Sequence, residues 1–359
     1  MKPTYLLLGI YLVYCFSACK PDFDLNAPYK DVTVVYGVLN YQDSKHYVKI
    51  YKGYQSHKKG GVFIDALNPD SIYYYDKISV VLQEYNNDKR TSRPDIPMYI
   101  TNDFQRDSGF FYSGDAKILY CTEEPLLKDY SYKIVIKHNN TGKITEGMTR
   151  ILGNGIDGNA FEFYSPATII PMLGASGSVS FYQAQHASDY ELHVNFLYFE
   201  VDTSTKEITH HKIVKNICPR VGDHWEKSES GYFIKNYTKT FYKDIEAQIK
   251  PNPKVIRYIG TISQETGKAT GSCIELEGWA AGESMYNFLL SNQPTHSFVQ
   301  VNTIYTNLSS TEGLAFGFFS STVKCPKKLF ATSKESEDTL IMKSKVLNLG
   351  FKPYIDYKP

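Results

Sequence analysis

Tyr190-Glu191-Leu192-His193-Val194-Asn195-Phe196-Leu197-Tyr198-Phe199-Glu200 alternates apolar with polar side chains over most of its length. Successive side chains of a strand point to opposite faces, so the stretch predicts one long strand with one face in a core. Gly177-Ser178-Val179-Ser180-Phe181 ahead of it reads as a shorter strand, joined to it through the loop Gln183 to Ser188. Ile208 to Val214, behind it, reads as its hairpin partner. His193 sits in the alternation as a sheet residue and not a ligand. His210 and His211 are neighbours on a strand, so they face opposite ways and cannot chelate one ion together.

The same period governs the N-terminal third. Val32 to Val38, His46 to Lys52 and Lys77 to Gln83 read as strands, followed by Met98-Tyr99-Ile100, Gly109 to Tyr112, Ile118-Leu119-Tyr120 and Tyr132 to Lys137. A turn at Asn139-Asn140-Thr141-Gly142 returns the chain through a strand near Lys143 to Met148. Leu126 to Tyr132 is similar to the corner ahead of a late strand in immunoglobulin-like sandwiches. The region from Gly177 to Glu200 resembles the second and third strands of fibronectin type III domains, with Phe181 where Trp is usual. Two helices break the β pattern. Phe241, Ile245 and Ile249 recur every four residues between Thr240, a candidate cap, and Pro251. Glu283 to Leu290 places Met285, Phe288 and Leu289 on one face, as core packing. The expected fold is mainly β: two β-sandwich domains of immunoglobulin or fibronectin III type, residues 29–150 and 151–359, the second with short helices.

Met1 to Cys19 decides location. Lys2 begins it, Tyr5 to Phe16 is an apolar run of about twelve residues where a membrane-spanning helix needs roughly twenty, and Phe16-Ser17-Ala18-Cys19 ends it. This ending resembles the bacterial lipobox, with Phe16 at the position where Leu is usual. The resemblance implies a signal peptide over residues 1–18 and lipidation of Cys19. Residues 19–28, Cys19-Lys20-Pro21-Asp22-Phe23-Asp24-Leu25-Asn26-Ala27-Pro28, are too polar to fold and read as a flexible tether. Lys20 stands where the inner-membrane retention signal of enteric bacteria has Asp, and a basic residue followed by acids resembles the surface-export signal of Bacteroidota lipoproteins. That resemblance implies the outer membrane and an outward-facing anchor.

Composition narrows the partners. Thirty-nine basic residues nearly cancel 38 acidic ones, so no basic field marks a nucleic-acid binder. Thirty Tyr and 20 Phe against two Trp fit pleated, half-buried surfaces better than a sugar-stacking platform. Cys121, Cys218, Cys273 and Cys325 allow three disulfide pairings, which spacing does not choose among. No Cys/His spacing fits zinc, and no metal or cofactor is expected.

Catalytic motifs are equally sparse. Gly153-Asn154-Gly155-Ile156-Asp157-Gly158 spells GxGxxG, but the strand-like Phe161 to Ser165 follows it where a helix is required, so it reads as an interdomain turn. Gly174-Ala175-Ser176-Gly177-Ser178 lacks the second glycine of a nucleophile elbow. Asp223-His224-Trp225-Glu226 is the nearest acid–base cluster and reads as a surface loop. Asp70-Ser71-Ile72 and Asp338-Thr339-Leu340 match an O-glycosylation tripeptide. His57 to Gly61, Asn86 to Arg90 and Tyr73-Tyr74-Tyr75 are loop stretches; the three tyrosines are the candidate ligand-binding residues, since exposed loops of a rigid scaffold carry binding.

Glu283 to Pro294, then Val301-Asn302-Thr303-Ile304-Tyr305-Thr306-Asn307-Leu308, then Gly313-Leu314-Ala315-Phe316-Gly317-Phe318-Phe319-Ser320-Ser321 resemble a large, uncharacterised set of Bacteroidota outer-membrane lipoproteins. Those proteins show a Tyr-Thr-Asn strand, a glycine turn and a Phe-Ser-Ser ending. The resemblance implies a non-catalytic binding or accessory role beside a nutrient-uptake transporter; the expected partner is that transporter or a glycan or peptide ligand. A structural or adhesive role through strand-edge assembly is the alternative, and a hydrolase with an unfamiliar site the third reading.

Overall fold

The computed structural model describes residues 31–53, 69–105, 116–153, 155, 161–164, 169–170, 178–218, 225–228, 231–235, 241–292 and 305–358. Cys19, the leader, the tether, His57 to Gly61, Asp223-His224 and Gly174 to Gly177 lie outside them. The strands, in chain order, are β1 (Thr33–Leu39), β2 (His46–Lys52), β3 (Ile78–Asn86), β4 (Lys89–Arg90), β5 (Ile96–Gln105), β6 (Ala116–Thr122), β7 (Ser131–His138) and β8 (Ile144–Arg150). Then come β9 (Phe163–Tyr164), β10 (Ile169–Ile170), β11 (Ser178–Phe181), β12 (Ala187–Asp202), β13 (Ile208–Cys218), β14 (Trp225–Ser228) and β15 (Gly231–Lys235). The chain finishes with β16 (Val255–Ile259), β17 (Thr261–Ile262), β18 (Ala269–Thr270), β19 (Ser272–Gly282), β20 (Leu308–Ser310), β21 (Ala315–Thr332) and β22 (Phe351–Pro353). The fold is mainly β, as the alternation predicts.

One sheet runs β20-β8-β7-β3-β5-β6-β2-β1-β21-β19-β12-β16-β22, and a small one runs β14-β15-β11-β9. The long alternating stretch is β12, antiparallel to its hairpin partner β13 and to β19 and β16. Leu192, Val194, Phe196 and Tyr198 are buried in a core shared with Ile274 and Leu276 of β19 and with Phe241 and Ile245. Glu191, His193 and Asn195 occupy the opposite face.

A separate core gathers Val35 and Leu39 of β1, Val48 and Ile50 of β2, and Val80, Leu82, Ile134 and Ile136 of β3 and β7. The chain passes between the cores where Ile151 belongs to this one and Leu152 to the other. Tyr132 is fully buried here; its hydroxyl accepts from Leu127 N at 2.9 Å and donates to Glu84 Oε2 at 2.7 Å. Tyr132 thus ties the Leu126 to Tyr132 segment to the start of β7.

β21 joins the two cores. Its first half runs parallel to β1, Thr33 beside Ala315 and Leu39 beside Ser321, and its second half runs antiparallel to β19. Gly317 allows the contact: it has φ +93°, and a Cβ there would lie 2.0 Å from Val35 O. Two side-chain amides extend the ladder. Gln42 Nε2 donates to Lys324 O at 2.9 Å while its Oε1 accepts from Lys324 N at 2.9 Å. Asn307 treats Phe319 the same way, donating to its O at 2.7 Å and accepting from its N at 2.9 Å. Asn307 Nδ2 also reaches Ser284 Oγ at 2.9 Å and Met148 O at 3.2 Å.

The Tyr-Thr-Asn and Phe-Ser-Ser segments therefore meet at this junction, where Ser320 Oγ also accepts from Met285 N and Ser321 Oγ donates to Arg150 O. Tyr305-Thr306-Asn307 is not a strand, contrary to expectation, because Asn307 supplies its pairing through the side chain; β20 begins only at Leu308.

Helix α1 (Phe241–Gln248) buries Phe241 and Ile245, as the four-residue period requires, and α2 (Glu283–Ser291) lays Phe288 against Phe318, ring centroids 4.5 Å apart. A third, α3 (Lys334–Val346), is absent from the sequence reading. Its cap is present: Ser333 Oγ accepts from Ser336 N, with Glu335 and Glu337 in the first turn and Lys343 and Lys345 in the last. Its buried face is mostly small, Ser336, Leu340 and Ser344, so no apolar stripe announced it. Cys121, Cys273 and Cys325 are free thiols.

Candidate functional site

Tyr73 and Tyr74, expected on an exposed binding loop, are each only 3 % exposed. A helical turn, Pro69–Ile72, and the positive φ of Tyr75 (52°) turn both rings inward. The Tyr74 ring stands edge-on to His138 at 4.8 Å, and its hydroxyl donates to Asp31 Oδ1 at 2.6 Å. This placement corrects the exposed, ligand-facing position expected of Tyr73 and Tyr74, while Tyr75 is half-buried.

Around Tyr74 lies a linear array with the connectivity of a nucleophile, base and orienting acid. Thr33 Oγ1 is 3.1 Å from His138 Nε2, and His138 Nδ1 is 3.3 Å from Asp31 Oδ2. A hydrolase needs a reacting carbonyl beside the nucleophile. Thr33 is fully buried, and Tyr74 Oη sits 3.5 Å from the same hydroxyl. Lys143, itself buried, donates to Asp31 O. The array fastens the chain where it enters β1. Burial, the larger effect, keeps the His138 pKa below the ordinary histidine value despite Asp31.

The concave site lies on the other core's sheet. Asp189, Glu191 and His193 of β12, Trp279 of β19, Met285 and Leu289 of α2 and Thr322 of β21 surround a cavity of about 300 Å³. Strand pairing builds it: Glu191 lies opposite Trp279 and His193 opposite Glu277, which puts all four on one face. The His193 ring is 5.0 Å from the half-buried Trp279 indole at 61°, and Lys324 Nζ is 5.2 Å from the indole centroid. His193 Nε2 lies 2.8 Å from Glu191 Oε1; a carboxylate only accepts, so this nitrogen carries the proton. The cavity combines an apolar floor, an indole and acceptors at its rim, the composition of a small-ligand site.

Next to it on the same face, Glu275 and Glu277 are gripped from both sides. Lys212 Nζ is 2.9 Å from Glu275 and 2.6 Å from Glu277; Lys327 Nζ is 3.3 and 2.5 Å away. Asn195 Nδ2 donates to both carboxylates, at 3.0 and 2.7 Å. Burial opposes charge on Glu277, but hydrogen bonds from Lys212, Lys327 and Asn195 outweigh it and hold its pKa down at about 2. Glu275 is lowered in the same way. A general acid must hold its proton near neutral pH. These carboxylates stay ionised, so their chemistry is that of a rigid ion-pair lattice that stiffens the floor beside Trp279.

Asn86 to Arg90 is an exposed hairpin with positive φ at Asn87 and Asp88. Asp70 starts exposed in its helical turn, and Asp338 is exposed within α3. No group of three or more His, Cys, Asp or Glu able to hold a metal occurs among the described residues. Sequence reasoning read His193 as an ordinary sheet residue and did not single out Trp279; their juxtaposition depends on the register between β12 and β19, which no local pattern carries. A scan against protein-family models finds no match, and a search of curated proteins finds none.

Proposed function

We propose that this chain is a lipid-anchored outer-membrane binding protein, held through Cys19, that captures a small glycan or peptide in the Trp279 cavity beside an uptake transporter. The observation carrying the reading is the half-buried indole at the mouth of a preformed cavity, flanked by Glu191 and His193. An indole offers apolar area at little conformational cost, and the carboxylate accepts from ligand hydroxyl or amide donors.

The chain has two tryptophans, so Trp225→Phe leaves Trp279 as the sole reporter. Titrating this protein with glycan and peptide panels should give a saturable fluorescence change with one class of ligand, and Trp279→Ala should abolish binding of that class by calorimetry. A flat response across both panels overturns the capture reading. The transporter partner is tested by pull-down of the anchored protein from solubilised outer membrane, with Cys19→Ala as control. Assembly by strand addition is a second reading, favoured by β13: among the described residues it pairs only with β12, and Ile208 and Val214 on it are exposed. A concentration-dependent rise in mass on size-exclusion chromatography would support that alternative.

A further inference from the structure

A second cavity, of about 710 Å³, lies at the other end of the sheet, where the segment 251–255 faces α3 and β22. Pro251, Pro253, Val255, Ile341, Phe351 and Pro353 give it apolar walls, and Lys345, Lys352 and Asp356 contribute charges. Its two loops are clamped by one buried side chain. Arg257, 3 % exposed, donates through one terminal nitrogen to Lys250 O at 3.1 Å and through the other to Leu349 O, while its Nε donates to Glu200 Oε1 at 2.7 Å. Glu200 neutralises the guanidinium, so Arg257 shapes the cavity without lending it charge. Asn348 (φ 55°) and Gly350 (φ 74°) make the sharp return from α3 into β22 that forms one wall.

We propose that this cavity binds an aliphatic carboxylate, with its hydrocarbon in the cleft and its anionic end at the lysine rim. The walls favour burial of a flexible apolar chain. They present three proline rings and branched aliphatic side chains, and their one aromatic, Phe351, is itself buried in the core. Two lysines against one aspartate select an anion over a cation. This site is independent of the Trp279 cavity, so either reading can fail without the other.

The test uses the full-length Cys19→Ala protein without detergent, titrated by calorimetry with decanoate and with decanol. Decanoate should bind at one site per chain, and decanol about tenfold more weakly or worse. Ile341→Trp should weaken decanoate binding by about tenfold or more, whereas Met342→Trp, on the exposed side of the same helix (62 %), should leave it within about twofold. Lys345→Glu with Lys352→Glu should weaken decanoate but not decanol. Equal affinity for decanol, no effect of the lysine pair, or no binding of decanoate at millimolar concentration would overturn the proposal. So would co-sedimentation with phosphatidylglycerol vesicles in a protein that ignores free decanoate, since the lysines would then be reading a membrane surface. Unchanged melting temperatures confirm that the variants are folded.

Discussion

Replacing Asn307 by Ala should be among the costlier single side-chain deletions outside the apolar cores. Its amide contacts Phe319 N, Phe319 O, Ser284 Oγ and Met148 O. The NH2 group has only two hydrogens, so one of its three acceptors is always shared, leaving three effective bonds at about 0.5–1.5 kcal/mol each. Phe319 is fully buried, so its backbone polar groups, once abandoned, have no water to turn to. The expected loss is therefore about 3 kcal/mol. Ser284→Ala removes just one of these contacts and should cost about 1 kcal/mol or less. Guanidinium unfolding followed by circular dichroism reads both, and a shift in midpoint at constant slope identifies a loss of stability rather than a change in the unfolded state. If Asn307→Ala unfolds at the wild-type midpoint, or costs no more than Ser284→Ala, the junction is not what holds β21 to both cores.

Four further outcomes follow from the buried polar groups. Tyr132→Phe removes the bonds to Leu127 N and Glu84 and should destabilise by about 1.5–3 kcal/mol in the same assay, because Glu84 stays buried. Burial holds the His46 pKa below its ordinary 6.5 even though Asp43 and the Glu124 backbone pull the other way. The folded state thus binds fewer protons than the unfolded one, and stability should drain as pH falls below about 6.5. His46→Leu should make that limb shallower without loss at pH 8, leaving the share carried by His138, whose pKa burial also lowers.

Glu277 has the opposite history: its depressed pKa adds stability that is complete above the unfolded carboxylate value and is lost as pH falls toward about 2. Lys327→Met should move that loss to higher pH, read as acid unfolding. Finally, burial pushes the Cys273 and Cys325 thiols up to about 12. Both should resist iodoacetamide at pH 8 until denaturant is added, while half-exposed Cys121 reacts slowly.

What the sequence disclosed, and what it hid, divides along the range of the interactions. Period two in Tyr190 to Glu200 and in His46 to Lys52 announces strands because alternation is local. The bond from Leu127 N to the Tyr132 hydroxyl is equally local, its partners five residues apart. Tyr73-Tyr74-Tyr75 misled because three aromatics in a polar neighbourhood look like an exposed loop; the turn that buries two of them depends on a positive φ at a non-glycine residue. Helix α3 was missed because two of the three buried residues on its inward face are serines. The Trp279 cavity needed the β12–β19 register, and the shared sheet needed the parallel pairing of β1 with β21, neither of which leaves a mark in any short window.

The clasp of Gln42 on Lys324 spans 282 residues, and the parallel pairing of β1 with β21 lies beside it. A chain made or exported from its N-terminus carries β1 as an open edge through nearly its whole emergence, because the strand that closes it arrives near the end. Such long closures slow folding and expose unpaired backbone in the interval. The N-terminal core includes Leu308, Ala315 and Phe319, so it is completed only once β20 and β21 have been made and have docked.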